Sequence, residues 1–191
     1  MKRILALLTV LAAAAAAQAE TYTIDPVHSS VGFNIRHLFS KFSSSFTKVT
    51  GAVTYDEAAP EKSAVEATVE IKSLNTANEK RDQHIWSADF LDAEKFPLAT
   101  FKSKSWKKTG ENTFDVTGDL TIRGVTKEVV LKTTLLGSGP GMGGATVTGW
   151  ESTVTISKAD FGAAGPAMLG KALGDEVTLT ISVEAAHKPA K

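Results

Sequence analysis

The chain has no cysteine. That absence excludes disulfides, iron–sulfur clusters, thiolate zinc sites, cysteine nucleophiles and the lipidated cysteine of a lipoprotein. Aromatic residues are sparse at 7 %, and most of them are phenylalanine. Basic and acidic residues balance at 21 each, with no basic run. Nothing there draws the chain to nucleic acid or to an anionic membrane surface, because no basic tract can displace counterions from phosphates. Internal repeats and interdomain linkers are missing as well, which points to a single domain.

One long apolar run does exist, and it stands at the N-terminus. Lys2 and Arg3 precede Ile4–Ala17, and small residues Ala17 and Ala19 flank Gln18 ahead of Glu20. This is the pattern of a secretory signal peptide. A membrane anchor fits less well, since the run is short of the roughly 20 residues a spanning helix needs and is rich in alanine. Residues 1–19 are therefore expected to be cleaved, and residues 20–191 to form the exported domain. Losing Lys2 and Arg3 from the 21 basic residues leaves a net charge of about −2. An exported domain without disulfides must be held by its core alone.

Within that domain the dominant pattern has period two. Val31, Phe33, Ile35 and His37 share one face of a strand, with Gly32, Asn34 and Arg36 on the other. The same alternation recurs along Val65–Ile71, Phe114–Ile122, Val129–Leu135, Trp150–Ile156 and Val177–Val183. With strands near Val49–Tyr55 and Ala99–Trp106 the count is about eight, enough for a small closed antiparallel barrel. Arg123-Gly124-Val125-Thr126 reads as a tight hairpin and 108–112 as a longer one. Parity slips between Phe46 and Val49, which implies a bulge or bend. Gly137–Gly144 reads as a glycine-rich loop, without the Lys-Ser/Thr ending of a P-loop, and 185–191 as a frayed tail. Asn78 is a candidate N-cap for an amphipathic helix near 82–92, ended by Phe96-Pro97. A second helical turn is expected over Pro166–Ala172.

Several segments together resemble the YceI-like family. They are Tyr22–His37 (with Asp25-Pro26-Val27-His28-Ser29), Arg81–Asp92 with Phe96-Pro97 and Phe101, Gly118–Thr126, Ile156–Gly162 and Gly174–Val177. The resemblance runs over nearly all of the domain, in the family's order. It implies a lipocalin-like barrel, often periplasmic, with an elongated pore that holds an amphiphile such as a polyisoprenoid, an isoprenoid quinone or a long acyl chain. Trp150-Glu151 and the 137–144 loop depart from the pattern.

From alternation alone, the inward faces either fill the barrel or line a ligand cavity. The expected ligand-binding residues are Val31, Phe33, Ile35, His37, Phe90, Phe101, Phe114 and Leu120, with His37 at the pore mouth. Phe90 belongs to the helix expected to pack on the barrel, either reaching the ligand entrance or simply plugging an open end. His28 and His37 are of opposite parity and do not form a metal pair on one element. His84 near Arg81 and Asp82 suits capping. Asp89, Asp92 and Glu94 flank buried Phe90 and Leu91, and the serines lack a nucleophile elbow. No catalytic residue, metal or cofactor is therefore expected. The reading is a non-enzymatic periplasmic carrier whose partner is an amphiphilic lipid or isoprenoid, with no nucleic acid and no stable membrane insertion; a homodimer is left open. Two alternatives stand beside it. One is an accessory enzyme or electron-transport protein working on a bound isoprenoid quinone through His37 or His28; the other is a ligand-free stress-response barrel.

Overall fold

In the computed structural model the apolar face of every strand turns inward around a closed barrel. The structure describes residues 19–170 and 172–188, so the expected signal peptide lies, up to position 18, outside the described residues. In chain order the strands are β1 (Glu20–Ile24), β2 (Ser30–His37), β3 (Ser40–Phe46), β4 (Val49–Tyr55), β5 (Ala64–Glu70) and β6 (Leu74–Asn75). They continue with β7 (Leu98–Lys108), β8 (Thr113–Ile122), β9 (Val125–Pro140), β10 (Thr146–Ser157) and β11 (Leu173–His187). One α-helix, α1 (Glu79–Trp86), lies between β6 and β7.

Pairing is antiparallel around the ring β1-β4-β5-β7-β8-β9-β10-β11, and β11 returns to β1 through Thr23–Ala186 and Ile24–Ala185. The N-terminal part of β11 pairs instead with β2, from Leu173 opposite His37 to Ser182 opposite Ser30. β2 thus continues the stave begun by β1. In the same way β3 leads into β4 and β6 prolongs β5. Counted as staves the barrel has eight, the number expected from alternation. The bend expected between Phe46 and Val49 is present: the Thr47 and Lys48 amides leave the ladder and donate to the Ser73 hydroxyl at 3.2 and 3.1 Å.

One end of the barrel is packed solid. Tyr55, Trp106, Phe114 and Trp150 meet there edge to face, with Tyr55–Trp150 centroids 5.0 Å apart and Trp106–Trp150 5.6 Å apart. The Trp150 indole N–H donates to Thr148 Oγ1 at 2.9 Å, which satisfies the one polar atom this ring brings inside. Such packed pairs add about 0.5–1.5 kcal/mol each beyond area burial. Halfway along, Gly118 makes room for Phe101; a Cβ there would stand 2.5 Å from Phe101 Cζ. The opposite end is crossed by two long connections, 71–97 and 158–172, and the first is tied to the β8–β9 hairpin where Arg123 donates to the Ala88 carbonyl (2.8 Å).

Three local expectations are corrected. The helix spans Glu79–Trp86 rather than 82–92. Asn78 is its N-cap, accepting from the Arg81 amide at 3.1 Å. Ser87 ends it by turning extended and donating its hydroxyl to the His84 carbonyl at 2.7 Å, the local competition that makes serine a poor helix-interior residue. Phe90 and Leu91 therefore sit in the turns that follow. Gly137 and Gly139 are not loop: they lie in β9, paired with Gly149 and Val147 of β10, and only the tip 141–145 leaves the ladder. The tail is ordered through His187, because Ala185 is fully buried and His187 Nδ1 reaches the Thr21 carbonyl at 2.8 Å. Over Pro166–Ala172 there is a 3-10 turn, Ala167–Leu169, behind Pro166.

Candidate functional site

Between the aromatic end and the two connections the interior is hollow. The cavity measures about 610 Å³, within the roughly 300–1,000 Å³ typical of small-molecule sites. Its wall comes from the period-two faces: Val31 and Ile35 of β2, Val69 of β5, Phe101 of β7, Leu120 of β8 and Ile181 of β11. Val31, Ile35, Phe101 and Leu120 are buried, and Phe33 is half-buried with its ring 6.0 Å from both Phe42 and Phe46. Two hydroxyls, Thr133 and Ser152, border it beside the aromatic end and satisfy each other at 2.9 Å. They ask nothing of a ligand.

The mouth has a different character. His37, Lys41 and His84 border the cavity and are exposed to solvent, so the opening lies among them. Arg81 and Lys158 complete the rim. The Arg81 guanidinium lies 4.3 Å from the Phe42 ring centroid and is held by the Thr76 carbonyl (2.7 Å) and hydroxyl (3.0 Å). Lys158 donates to the Ala164 carbonyl at 2.6 Å. Among the described residues no aspartate or glutamate lines the cavity itself, though Asp89 pairs with His84 at 3.0 Å on the rim. Phe90, buried, closes one side of the mouth. Its ring packs edge-on against His84 at 5.1 Å, and Gly165, at φ 79°, gives it room, since a Cβ there would approach it to 2.4 Å.

Of the residues expected to contact ligand, Val31, Phe33, Ile35, His37, Phe90, Phe101 and Leu120 all border the cavity. Phe114 does not. Only 1 % exposed, it belongs to the aromatic end, 5.7 Å from Trp106 and 6.2 Å from Tyr55. Phe42, Arg81 and Lys158 escaped the sequence reading. Phe42 sits in a serine-rich strand with little visible alternation, and the two cations come from connections whose position only the fold determines.

His28 stands apart from the cavity, between β1 and β2. Its Nδ1 lies 2.8 Å from Asp25 and 3.7 Å from Glu184, and the three groups bring possible ligand atoms within 4.8 Å of one another. The hydrogen bond to Asp25 holds the imidazole above its ordinary range, and the same bond lowers the Asp25 carboxyl. The ion pair accounts for the geometry without a metal.

The outer faces are polar and cross-linked by ion pairs such as Lys102–Glu66 (2.6 Å), Lys104–Asp119 (2.6 Å) and Lys132–Asp115 (2.9 Å). Apolar inside and charged outside is the inverse of a membrane-spanning barrel. Among the described residues no helix is long and apolar enough to cross a membrane.

Comparison with known proteins matches the model of the YceI-like domain over residues 22–185. A "UPF0312 protein" of Pseudomonas syringae pv. tomato is 42 % identical over 177 residues, 91 % of this chain and 92 % of the relative. The crystal structure of a Campylobacter jejuni YCEI protein superposes with a TM-score of 0.71 at 32 % identity, covering 79 % of this chain and 88 % of that one. A Saccharophagus degradans domain described as polyisoprenoid binding shares the fold, with a TM-score of 0.67 at 14 % identity over 88 % of this chain and 98 % of its own.

Proposed function

Because the chain belongs to the YceI-like family, we propose that this barrel binding protein is a periplasmic carrier that holds the chain of an amphiphile in its cavity. The observation that carries the reading is the hollow itself: about 610 Å³, apolar along its wall and open at a polar rim. The cargo is a polyisoprenoid, an isoprenoid quinone or a fatty acyl compound, its chain inside and its head among His37, Lys41, Arg81 and His84. Each methylene moved from water into such a wall contributes about 0.8 kcal/mol. A dozen therefore contribute on the order of 10 kcal/mol before the entropy cost of association is subtracted, and the head needs little specific recognition. The polyisoprenoid-binding description of the Saccharophagus relative supports the chain class, and the Met1–Ala19 pattern supports export. The acid–base pairs beside the cavity, His84–Asp89 (3.0 Å) and Lys158–Asp175 (3.9 Å), sit at its rim and not along the apolar wall, which favours carriage over turnover.

Organic extracts of protein purified without detergent, analysed by mass spectrometry, test the reading. One or more long-chain lipids in stoichiometric amount are expected; no extractable lipid, together with no uptake of added chains, would sink it. Mass analysis of the exported protein tests the location and should give a chain beginning at Glu20.

A further inference from the structure

Two tight hairpins in this barrel obey different rules. Between β8 and β9 the turn residues are Arg123 and Gly124, both at positive φ (51° and 73°), with glycine where a two-residue hairpin wants it. Between β2 and β3 they are Leu38 and Phe39. Leu38 sits at φ 50°, a strained conformation for a bulky residue. Phe39 is wholly exposed at 104 %. The chain thus accepts a poor turn that bares Phe39 completely and Leu38 by half; broken local rules of this kind mark function.

The charges behind the tip deepen the anomaly. Arg36 on β2 stands directly across from Lys41 on β3, and like charges placed so repel. Both are exposed, and neither enters an ion pair among the described residues. The neighbouring connection joins the same rim: the Leu38 amide donates to the Ala172 carbonyl at 2.7 Å. The 3-10 turn of that connection points Met168 into solvent (86 % exposed), while Leu169 beside it borders the cavity. Exposed apolar tips and unpaired cations therefore surround the opening of an apolar cavity.

We propose that this rim docks on the surface of an anionic lipid bilayer. Phe39, Leu38 and Met168 enter the headgroup region, Arg36 and Lys41 face lipid phosphates, and the mouth opens onto the membrane. The combination is that of interfacial anchors: an amphipathic apolar projection flanked by bases. A second copy of the chain is a poorer occupant, because a stable dimer needs roughly 800 Å² per partner and a few projecting side chains supply much less. Composition, with no basic run, gave no sign of a membrane surface; hairpin register makes the cationic pair. The inference adds to the carrier reading a place where cargo is taken up or released, and its test needs no cargo.

Flotation of the full chain with vesicles of phosphatidylglycerol and phosphatidylcholine, against phosphatidylcholine alone, is the experiment. The unaltered protein is expected to float with the anionic vesicles. Phe39→Ser should reduce the bound fraction about tenfold while its melting temperature stays within a degree or so, and Arg36→Gln with Lys41→Gln should erase the preference for anionic lipid. No flotation of the unaltered protein overturns the proposal, and so does equal flotation of Phe39→Ser. A dimer in solution that Phe39→Ser dissolves, without vesicle binding, also overturns it by making the tip a self-contact. Lipid extracted from a protein that does not float would leave the carrier reading standing and remove docking alone; a floating protein with an empty cavity would do the reverse.

Discussion

The aromatic end and the mouth of this barrel are built from similar residue types put to opposite uses. At the aromatic end Tyr55, Trp106, Phe114 and Trp150 interlock, and the Trp150 N–H finds its partner in Thr148. At the mouth Phe42 carries a guanidinium, Phe90 leans on a histidine and Phe39 touches nothing. The first arrangement removes aromatic surface from water, and the second leaves it available. Stability is thus concentrated at one end, which allows the other to remain open.

Substitutions should separate the two. Phe114→Ala removes a ring of the packed end that does not border the cavity and is expected to cost about 3–5 kcal/mol, read by chemical denaturation, with lipid retention affected only through loss of fold. A change below about 1 kcal/mol would mean the plug is not the stabilising element. Phe90→Ala, at the mouth, should cost at most about 3 kcal/mol, the low end for a large buried truncation, and should release bound lipid several-fold faster. Clear destabilisation with unchanged retention would assign Phe90 to plugging and end its role at the entrance.

Gly118 sharpens the comparison from the middle. A methyl group there stands 2.5 Å from Phe101 Cζ and from the Lys102 carbonyl, so Gly118→Ala should force Phe101 toward the cavity. The expected cost is about 1–3 kcal/mol of overpacking, with a shorter maximum chain length among bound lipids as the readout. Unchanged chain-length selectivity would show that Phe101 yields elsewhere.

The smallest effect belongs to the outer wall. His28 is raised above its ordinary 6.5 by Asp25, so its contribution to stability is complete below that value and is lost as pH rises through the raised one. A slight fall in melting temperature from about pH 6 to about pH 8 is expected, and it should vanish in His28→Gln. An equal fall in that variant would assign the pH dependence to other groups.

How far these features can be read in the sequence depends on what sets them. Alternation is a direct record of burial on one face, so β2, β5, β8, β10 and β11 are legible along most of their length. β1 and β3 are not: β1 buries only Tyr22 and Ile24, and in Ser40–Phe46 the inward face carries Ser44 between Phe42 and Phe46. Parity also says nothing about depth along a strand. Phe101 and Phe114 both alternate correctly, yet one borders the cavity and the other sits in the plug. Whether the barrel is filled or hollow depends on how side chains from eight staves meet, and no single segment encodes that. The rim was harder still, since Arg81, Lys158 and Met168 are brought there by connections without periodicity.

β11 pairs with the two earliest strands, at Thr23–Ala186 and at Val31–Ile181. In a chain made from its N-terminus these are the contacts of greatest sequence separation, and such closures are slow to form. Until the last dozen or so residues have been made, β1 and β2 lack a neighbour on one side and the ring stays open. The strand Leu173–His187 therefore acts as a latch: without it β1 and β2 have no partner on one side and the hollow interior stays unsealed.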